Sequence, residues 1–409
     1  MKKPELLIPA KGPEEFNTAV DFGADAVYVG GETMGLRSGA RNFSDEELKE
    51  AILYAHGRNK KVYVTANIIA HNSDLKEAED YFKRMGEIRP DALLIADPGM
   101  FSLAKELCPD IELHISTQAN NTNYKTVLFW ASLGAKRIVT ARELSLDEIR
   151  EIRDNIPSGT EIESFVHGAM CISYSGRCLL SNYFTGRDAN HGECTHPCRW
   201  QYAVAEETRP GQYLPIEENE RGSFIFNSKD LCMIGHIPEL VSAGIDSFKV
   251  EGRMKNALYV AVTARTYRQA IDDYFESPEK YKAALPRYLS EIGKCTTRDF
   301  CTGFYFGKPD ESAQVYSGST YIQDYVYLGR AGEPDSKGRV PIHQKNKFSA
   351  GDEVEIMKPG GEDRKARVES IYSPDRGEVE SAPHPKELIF VRFSEIPEKG
   401  DIIRQKTAP

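Results

Sequence analysis

The sequence predicts an α/β fold: a (β/α)8 TIM-like barrel with a cysteine-rich insertion after its seventh strand, followed by a small C-terminal β-barrel domain. Three observations predict it. Over the first 275 residues, eight short apolar runs alternate with stretches of helical period, the cadence of parallel strands covered by helices. Several helical stretches end in a glycine just ahead of the next apolar run, as at Gly23, Gly134 and Gly244, where the chain must reverse into a strand. From about Tyr316 the pattern changes to short alternating strands with glycine and proline turns, the signature of a small antiparallel barrel. A doubly wound open sheet is the alternative for the first part.

The expected strands cover residues 6–10, 26–31, 61–67, 92–98, 112–118, 137–141, 161–168 and 247–253. They are apolar at most positions, as expected of a parallel sheet covered by helices. Expected helices include 13–22, 44–58, 75–88, 124–133 and 145–155. Ser44 with Glu47 and Ser145 with Glu148 each spell a capping box. A long helix over about 256–275 closes the barrel, and 281–292 reads as another. The domain boundaries that follow are a barrel over 1–275 with its insertion at about 169–235, a helical linker over 276–312, and the C-terminal β-barrel over 313–409. The segments around Phe348–Ile356 and Lys399–Arg404 resemble the second domain of translation factors. Lys345, Lys347, Lys358, Arg364, Lys365 and Arg367 are candidates for a patch facing RNA.

Composition narrows the function. The chain has 409 residues, 40% hydrophobic and 28% charged, ordinary for a globular protein. No apolar run approaches the roughly 20 residues of a membrane span, and the short N-terminal apolar stretch runs into charges like a strand and unlike a secretion signal. A cytoplasmic protein without membrane attachment is expected. A net charge of −10 argues against a protein that coats phosphates nonspecifically with lysines, while leaving room for a local basic groove.

In a TIM-like barrel the chemistry sits at the C-terminal ends of the strands. Polar residues gather there: Arg37 and Arg41 after the second strand, Asn67 and His71 after the third, Asp97 after the fourth, and His114 and Gln118 on the fifth. Arg142 follows the sixth, His167 lies on the seventh, and Lys249, Glu251 and Arg253 lie on the eighth. Several arginines facing one mouth point to a small anionic substrate, a carboxylate or phosphate.

Directly after the seventh strand stand Cys171, Cys178, Cys194 and Cys198, spaced C-x6-C-x15-C-x3-C. Four thiolates hold zinc or an iron–sulfur cluster. The irregular spacing at a barrel mouth favours the cluster, with zinc next and four free thiols last, since structural zinc prefers tight knuckles at both ends. The C-x3-C-x2-C triplet of radical enzymes is missing. Cys232 is a fifth candidate, as a replacement ligand or an ordinary buried thiol. Cys108, Cys295 and Cys301 read as small buried hydrophobes.

Glu163-Ser-Phe-Val-His-Gly-Ala-Met-Cys171, continuing through Ser-Gly-Arg-Cys178-Leu-Leu-Ser181, resembles the signature segment of the peptidase U32 (collagenase-like) family. The likeness extends to Glu5-Leu-Leu-Ile-Pro-Ala, Gly23-Ala-Asp-Ala-Val-Tyr-Val-Gly, His114-Ile-Ser-Thr-Gln118 and Lys249-Val-Glu-Gly-Arg253-Met-Lys, and so spans most of the first 275 residues. Gly192-Glu-Cys194-Thr-His-Pro-Cys198-Arg-Trp is most similar to the branch that hydroxylates tRNA. The resemblance implies oxygen-independent formation of 5-hydroxyuridine at the wobble position, with prephenate as co-substrate and hydroxyl source. It also implies a [4Fe–4S] cluster on Cys171, Cys178, Cys194 and Cys198. One branch of the family uses a later cysteine for the fourth, which keeps Cys232 open. Members also act in pairs, so a second U32-family subunit is a possible partner beside tRNA.

Two other readings compete. The family name implies a peptidase, but no H-E-x-x-H motif occurs and no G-x-S-x-G elbow accompanies a triad. Cys171 near His167 could be offered as an activated thiol with its base, but four cysteines in cluster register argue against a lone nucleophile. The third reading is a non-catalytic iron–sulfur subunit of a hydroxylase complex.

Overall fold

The computed structural model describes residues 2–36, 41–171, 174, 178–189, 192–195, 197, 218–219, 222–223, 228–309, 313 and 322–407. Arg37 and Cys198 lie outside the described residues.

Eight parallel strands close a ring, as the cadence predicts. They are β1 (Glu5–Pro9), β2 (Ala26–Gly30), β3 (Lys61–Ala66), β4 (Ala92–Ile95), β5 (Glu112–Ile115), β6 (Arg137–Val139), β7 (Glu161–Gly168) and, after a short extra strand, β9 (Ser247–Val250). Each pairs with the next, and Ser247 of β9 lies opposite both Glu5 of β1 and Glu163 of β7, which seals the barrel. The extra strand β8 (Asp230–Cys232) runs antiparallel on the upper end of β7, with Cys232 opposite His167. A two-residue β10 (Phe300–Cys301) pairs with β8 in parallel.

The helices begin where the sequence provides caps. Before α1 (Pro13–Asp21), proline supplies a preset φ at the first turn. Both expected capping boxes form, at Ser44 for α2 (Asp45–His56) and at Ser145 for α6 (Leu146–Asp154). Further round the barrel are α3 (Leu75–Ile88), α4 (Pro98–Leu107) and α5 (Tyr124–Ser132). The fourth strand ends earlier than expected, because Asp97 leaves it to cap α4, accepting from Met100 N at 3.0 Å. Gly23, Gly134 and Gly244 take the left-handed conformation (φ 110°, 99° and 77°) that the reversals require. The short helices α7 (Leu180–Thr185) and α8 (Ile237–Ser242) follow, then α9 (Ala257–Glu276) and α10 (Pro278–Ile292). Tyr281, Tyr288 and Ile292 of α10 share one apolar core with α9 and the barrel. Among the described residues no helix is long and apolar enough to cross a membrane.

The C-terminal region is an antiparallel sheet with its own core, including Leu328, Ile342, Val368, Val391 and Ile403. Its strands run in the order β11 (Tyr325–Arg330), β19 (Ile402–Lys406), β14 (Glu353–Met357), β15 (Arg364–Ser373), β18 (Leu388–Phe393) and β12 (Val340–His343). The pairs β13 (Phe348–Ser349) with β17 (Ser381–Ala382), and β16 (Gly377–Val379) with β15, complete it. An isolated bridge between Ala331 and Ile342 joins the two ends of the path, so the sheet curls toward closure.

Charge fastens this sheet to the barrel. Arg404, fully buried, reaches Glu291 of α10 at 2.7 Å, Asp363 at 2.9 Å and Glu355 at 3.0 Å. Arg265 of α9 also holds Glu291, at 2.9 Å, and pairs with Asp363. Near α1, Lys345 and Tyr327 both engage Glu14, and Arg330 meets Asp21 at 2.5 Å. The basic residues expected to face RNA are largely committed: Lys345 to Glu14, Lys358 to Glu398, Arg364 to Glu395, and Arg367 to the Gly351 carbonyl.

Although burial opposes ionisation, Arg404, Arg265 and Lys294 hold the Glu291 carboxyl down at about 2. Arg404→Ala leaves three carboxylates facing one another in a buried joint, so about 3–5 kcal/mol of stability should be lost, read as a lower urea midpoint. A loss below about 1 kcal/mol would mean that Arg265 and Lys294 suffice. A carboxyl lowered in the folded state stabilises above its unfolded pKa of about 4.3 and loses that contribution as pH falls toward 2. The wild-type midpoint should therefore fall across that window, and that of Arg404→Ala should fall less.

Candidate active site

The barrel interior is built by period two. Along β2, β3, β5 and β9 every second residue is aromatic, polar or charged, and these side chains meet inside the ring: Tyr28, Tyr63 and Thr65, His114 and Ser116, and Lys249 and Glu251. In the lower layers Glu163 is fully buried, with Lys249 Nζ at 2.6 Å and Arg137 Nη1 at 3.1 Å. Arg137 also binds Glu5 at 2.6 Å and Glu161 at 2.7 Å, and Tyr63 donates to Glu5 at 2.8 Å. Burial works to neutralise Glu163, but Lys249 and Arg137 outweigh it and keep the carboxyl below its usual range. His114 belongs to this layer. Its ring packs edge-on against Tyr63, and burial lowers its pKa. Lys249 and His114, expected at the mouth, are thus part of the packed interior beneath it.

Above this layer the mouth assembles. Arg253, nearly buried, donates to Thr65 Oγ1 and to Asn42 Oδ1, both at 2.9 Å. It passes so close to Gly30 that a Cβ there would stand 2.6 Å from Nη1, so a side chain at this position would displace the guanidinium. Asn67 donates to Ser116 Oγ at 3.2 Å and Gln118 Oε1 at 3.1 Å, and accepts from the Leu36 amide. Arg142 lies over the Phe165 ring at 4.0 Å, donates to the Ala169 carbonyl at 2.7 Å and stands 3.9 Å from Glu251. Glu251 also takes the Tyr28 hydroxyl at 3.3 Å. Gly168 (φ 108°) lets the Glu251 carbonyl approach; a Cβ would meet that oxygen at 2.3 Å. Of the expected site residues, Asn67, Gln118, Arg142, Glu251 and Arg253 are brought together. Asp97 is used as a helix cap.

His167 is a correction. Simple alternation from Glu163 and Phe165 would point it into the barrel. A bulge on β7 shifts the register, so that Lys249 faces Phe165 and Val250 faces His167. The imidazole turns outward between Tyr259 and Tyr267 of α9 and Phe300 of β10, where burial lowers its pKa to about 4. Tyr28, Thr65, Ser116 and Asn42 were missed by sequence reasoning. The first three carry the period-two signal of their strands, whereas Asn42 lies in a loop and carries none.

Of the cysteines, Cys171 is exposed just beyond the end of β7, and Cys178 and Cys194 are half-buried. Ser181 Oγ accepts from the Thr195 amide at 3.1 Å and donates to the Glu193 carbonyl at 3.3 Å, tying the stretch after Cys178 to that around Cys194. Among the described residues no three His, Cys, Asp or Glu side chains converge as a metal site. The donor chemistry still suits a thiolate-held group, since these three thiols are free of disulfides and reachable. Cys232 is different: buried in β8, 4.0 Å from the Tyr267 hydroxyl, with burial pushing its thiol up to about 11.

The chain matches the family model of peptidase family U32 over residues 11–315 and that of the U32 C-terminal domain over 323–404. A tRNA hydroxylation protein P1 of Bacillus subtilis is 41% identical over 389 residues, 95% of this chain and 91% of the relative. An uncharacterized protease of Methanocaldococcus jannaschii is 44% identical over 305 residues, 74% of this chain and 73% of the relative. A 23S rRNA 5-hydroxycytidine synthase of Escherichia coli is 37% identical over 272 residues, 66% of this chain and 40% of the relative.

The position of His167 has a measurable consequence. Its unfolded imidazole takes a proton below about 6.5, whereas the folded one does not until about pH 4. Stability should therefore decline as pH falls through that window, and His167→Gln should flatten the decline. His114 keeps its own share. At pH 7.5 the same variant should retain activity within about threefold, since a group outside the mouth loses no transition-state contact. Loss of activity in a folded His167→Gln protein would put the ring at the reacting atoms.

Proposed function

The chain belongs to peptidase family U32, and from that premise we propose that it hydroxylates tRNA. More finely, it converts wobble uridine to 5-hydroxyuridine without oxygen, using prephenate as hydroxyl donor and a [4Fe–4S] cluster. The observation that carries the reading is one of position. The cysteine segment leaves β7 at Gly168, beside the Arg142–Glu251 pair and above the Asn67–Gln118 and Arg253 contacts. Two guanidiniums at one mouth suit a dicarboxylate such as prephenate.

The cluster would be held by Cys171, Cys178, Cys194 and Cys198, and when bound it supplies one-electron chemistry. The rest of the work falls to the chain. Arg142, fixed by Phe165 and by the Ala169 carbonyl, cannot swing freely, so it presents its charge at a set place with little ordering cost. Because Ala169 lies just before Cys171, the same bond orients the segment that starts the cysteine motif. Arg253, shielded by Gly30 and Thr65, gives a second fixed charge. The Asn67–Gln118–Ser116 chain offers neutral donors and acceptors for hydroxyl groups. Partners of this reading are tRNA, the small anionic co-substrate and a possible paired U32-family subunit.

The peptidase reading has less support. It needs a base to activate Cys171, and the nearest histidine in sequence, His167, is neutral and enclosed by Tyr259, Tyr267 and Phe300.

Protein purified without air should contain about four iron and four sulfide per chain, with a broad visible absorption band. One zinc and no sulfide would remove the redox mechanism. Arg142→Ala should lower formation of 5-hydroxyuridine at least about a hundredfold, the scale of a lost charged transition-state contact, with iron content unchanged. Loss of iron along with activity would make Arg142 a support for the cysteine segment and not a substrate clamp.

A further inference from the structure

The two charged residues on the β9 side of the mouth stand beyond the end of their strand. β9 stops at Val250, and Glu251 and Arg253 follow on a stretch that is neither strand nor helix. A side chain is placed only as well as its backbone, and here the backbone is held by contacts past the end of the strand. The Glu251 amide donates to the His167 carbonyl at 2.8 Å, and the Glu251 carbonyl accepts from the Tyr259 hydroxyl at 2.7 Å. We propose that Tyr259 is a positioning residue for the anion site: by holding the Glu251 carbonyl it sets where Glu251 and Arg253 stand at the mouth. The proposal rests on the reading of that mouth as the binding place of a small dicarboxylate and adds a residue that touches no substrate.

Three features fit Tyr259 to this task. Its ring lies directly over the backbone of residue 252, where a Cβ would stand 2.4 Å from Cε1, so glycine leaves the ring its seat. On the other side of the same carbonyl, Gly168 lets β7 approach, and the Glu251 peptide is thereby enclosed between β7 and α9. Tyr259 itself sits in the first turn of α9, a mostly buried helix of 20 residues, and its amide donates to the Asn256 cap at 3.1 Å. The Lys255 amide turns back to the Gly252 carbonyl at 2.8 Å, which folds the start of the helix onto the stretch that it holds. Burial keeps the phenol protonated well above its usual range, so it remains a donor. A buried hydroxyl on a backbone carbonyl is commonly no more than packing, and α9 supplies the comparison. About two turns later Tyr267 donates to the Val166 carbonyl at 2.9 Å in the same manner. Val166 is an apolar core residue, whereas the peptide under Tyr259 carries Glu251, which meets Arg142 and Tyr28, and leads to Arg253 on Thr65 and Asn42.

The test titrates prephenate into the full-length, cluster-loaded protein by calorimetry, for wild type, Tyr259→Phe and Tyr267→Phe. Each variant removes one buried hydroxyl and keeps its ring, so loss of packing or of stability is shared. Tyr259→Phe should weaken prephenate binding about tenfold or more, the lower end of what one charged hydrogen bond contributes, with iron content unchanged. Tyr267→Phe should bind within about threefold of wild type. In turnover the KM for prephenate should rise in Tyr259→Phe while the KM for tRNA holds; a merely structural loss of folded protein would lower kcat and leave both KM values in place. Should Tyr259→Phe fail to fold, Asn256→Ala, which loosens the turn that carries Tyr259, should weaken prephenate binding severalfold. Wild-type affinity in Tyr259→Phe or in a folded Asn256→Ala protein, or equal losses in the two tyrosine variants, overturns the positioning role and leaves the mouth as the anion site. Wild-type protein that binds no prephenate overturns the anion reading as well, and shows it before any variant is made.

Discussion

The barrel depends on one buried carboxylate. Glu163, fully enclosed, stands between Lys249 and Arg137, and through Arg137 it is joined to Glu5 and Glu161. Taking such ions out of water costs several kcal/mol each, recovered only when geometry satisfies every charge. Here the ions come from β1, β6, β7 and β9, the strands where the ring closes, with Tyr63 of β3 tied in through Glu5. An apolar interior would tolerate sliding of one strand on the next. A charge network with fixed partners penalises a slip, because one residue of shift would strand a buried charge.

The mouth is arranged by what this floor leaves above it. With Lys249 committed to Glu163, the next inward residue of its strand, Glu251, reaches Arg142 and Tyr28. Arg253 then runs over Gly30 to Thr65. On β7 the bulge ends the inward alternation at Phe165, whose ring serves as the platform for Arg142. The same bulge sends His167 outward into an aromatic wall with Tyr259 and Tyr267. One irregularity in pairing thus sets the arginine and removes the histidine.

The long helix α9 links this barrel to the C-terminal sheet. Most of its residues are buried, because one side covers the barrel and Arg265 on another reaches Asp363 and the Lys358 carbonyl. With Arg404 and Glu291 the joint forms a second buried charge network, beyond the barrel floor. The C-terminal domain is therefore fastened to the barrel by buried charge as well as by apolar packing.

The sequence by itself determined the barrel, its caps and its turns. Those features are local: Ser44 and Ser145 cap within their own first turns, Gly23, Gly134 and Gly244 need only their own φ, and apolar runs declare parallel strands wherever they fall. It also marked Asn67, Gln118, Arg142, Glu251 and Arg253 as strand-end polar residues, and these meet at the mouth. Only the tertiary structure decided the depth and facing of the others. His114 and Lys249 sit lower because their height is set by the register between strands distant in sequence, which no local pattern encodes. His167 faces away because a single extra residue in a pairing reverses the direction of a side chain. Asp97 and the basic residues of the C-terminal sheet were claimed by partners that folding brought near, a helix amide in one case and Glu14, Glu398 and Glu395 in the others. Residue type reports what a side chain can do, and long-range register decides which partner it meets.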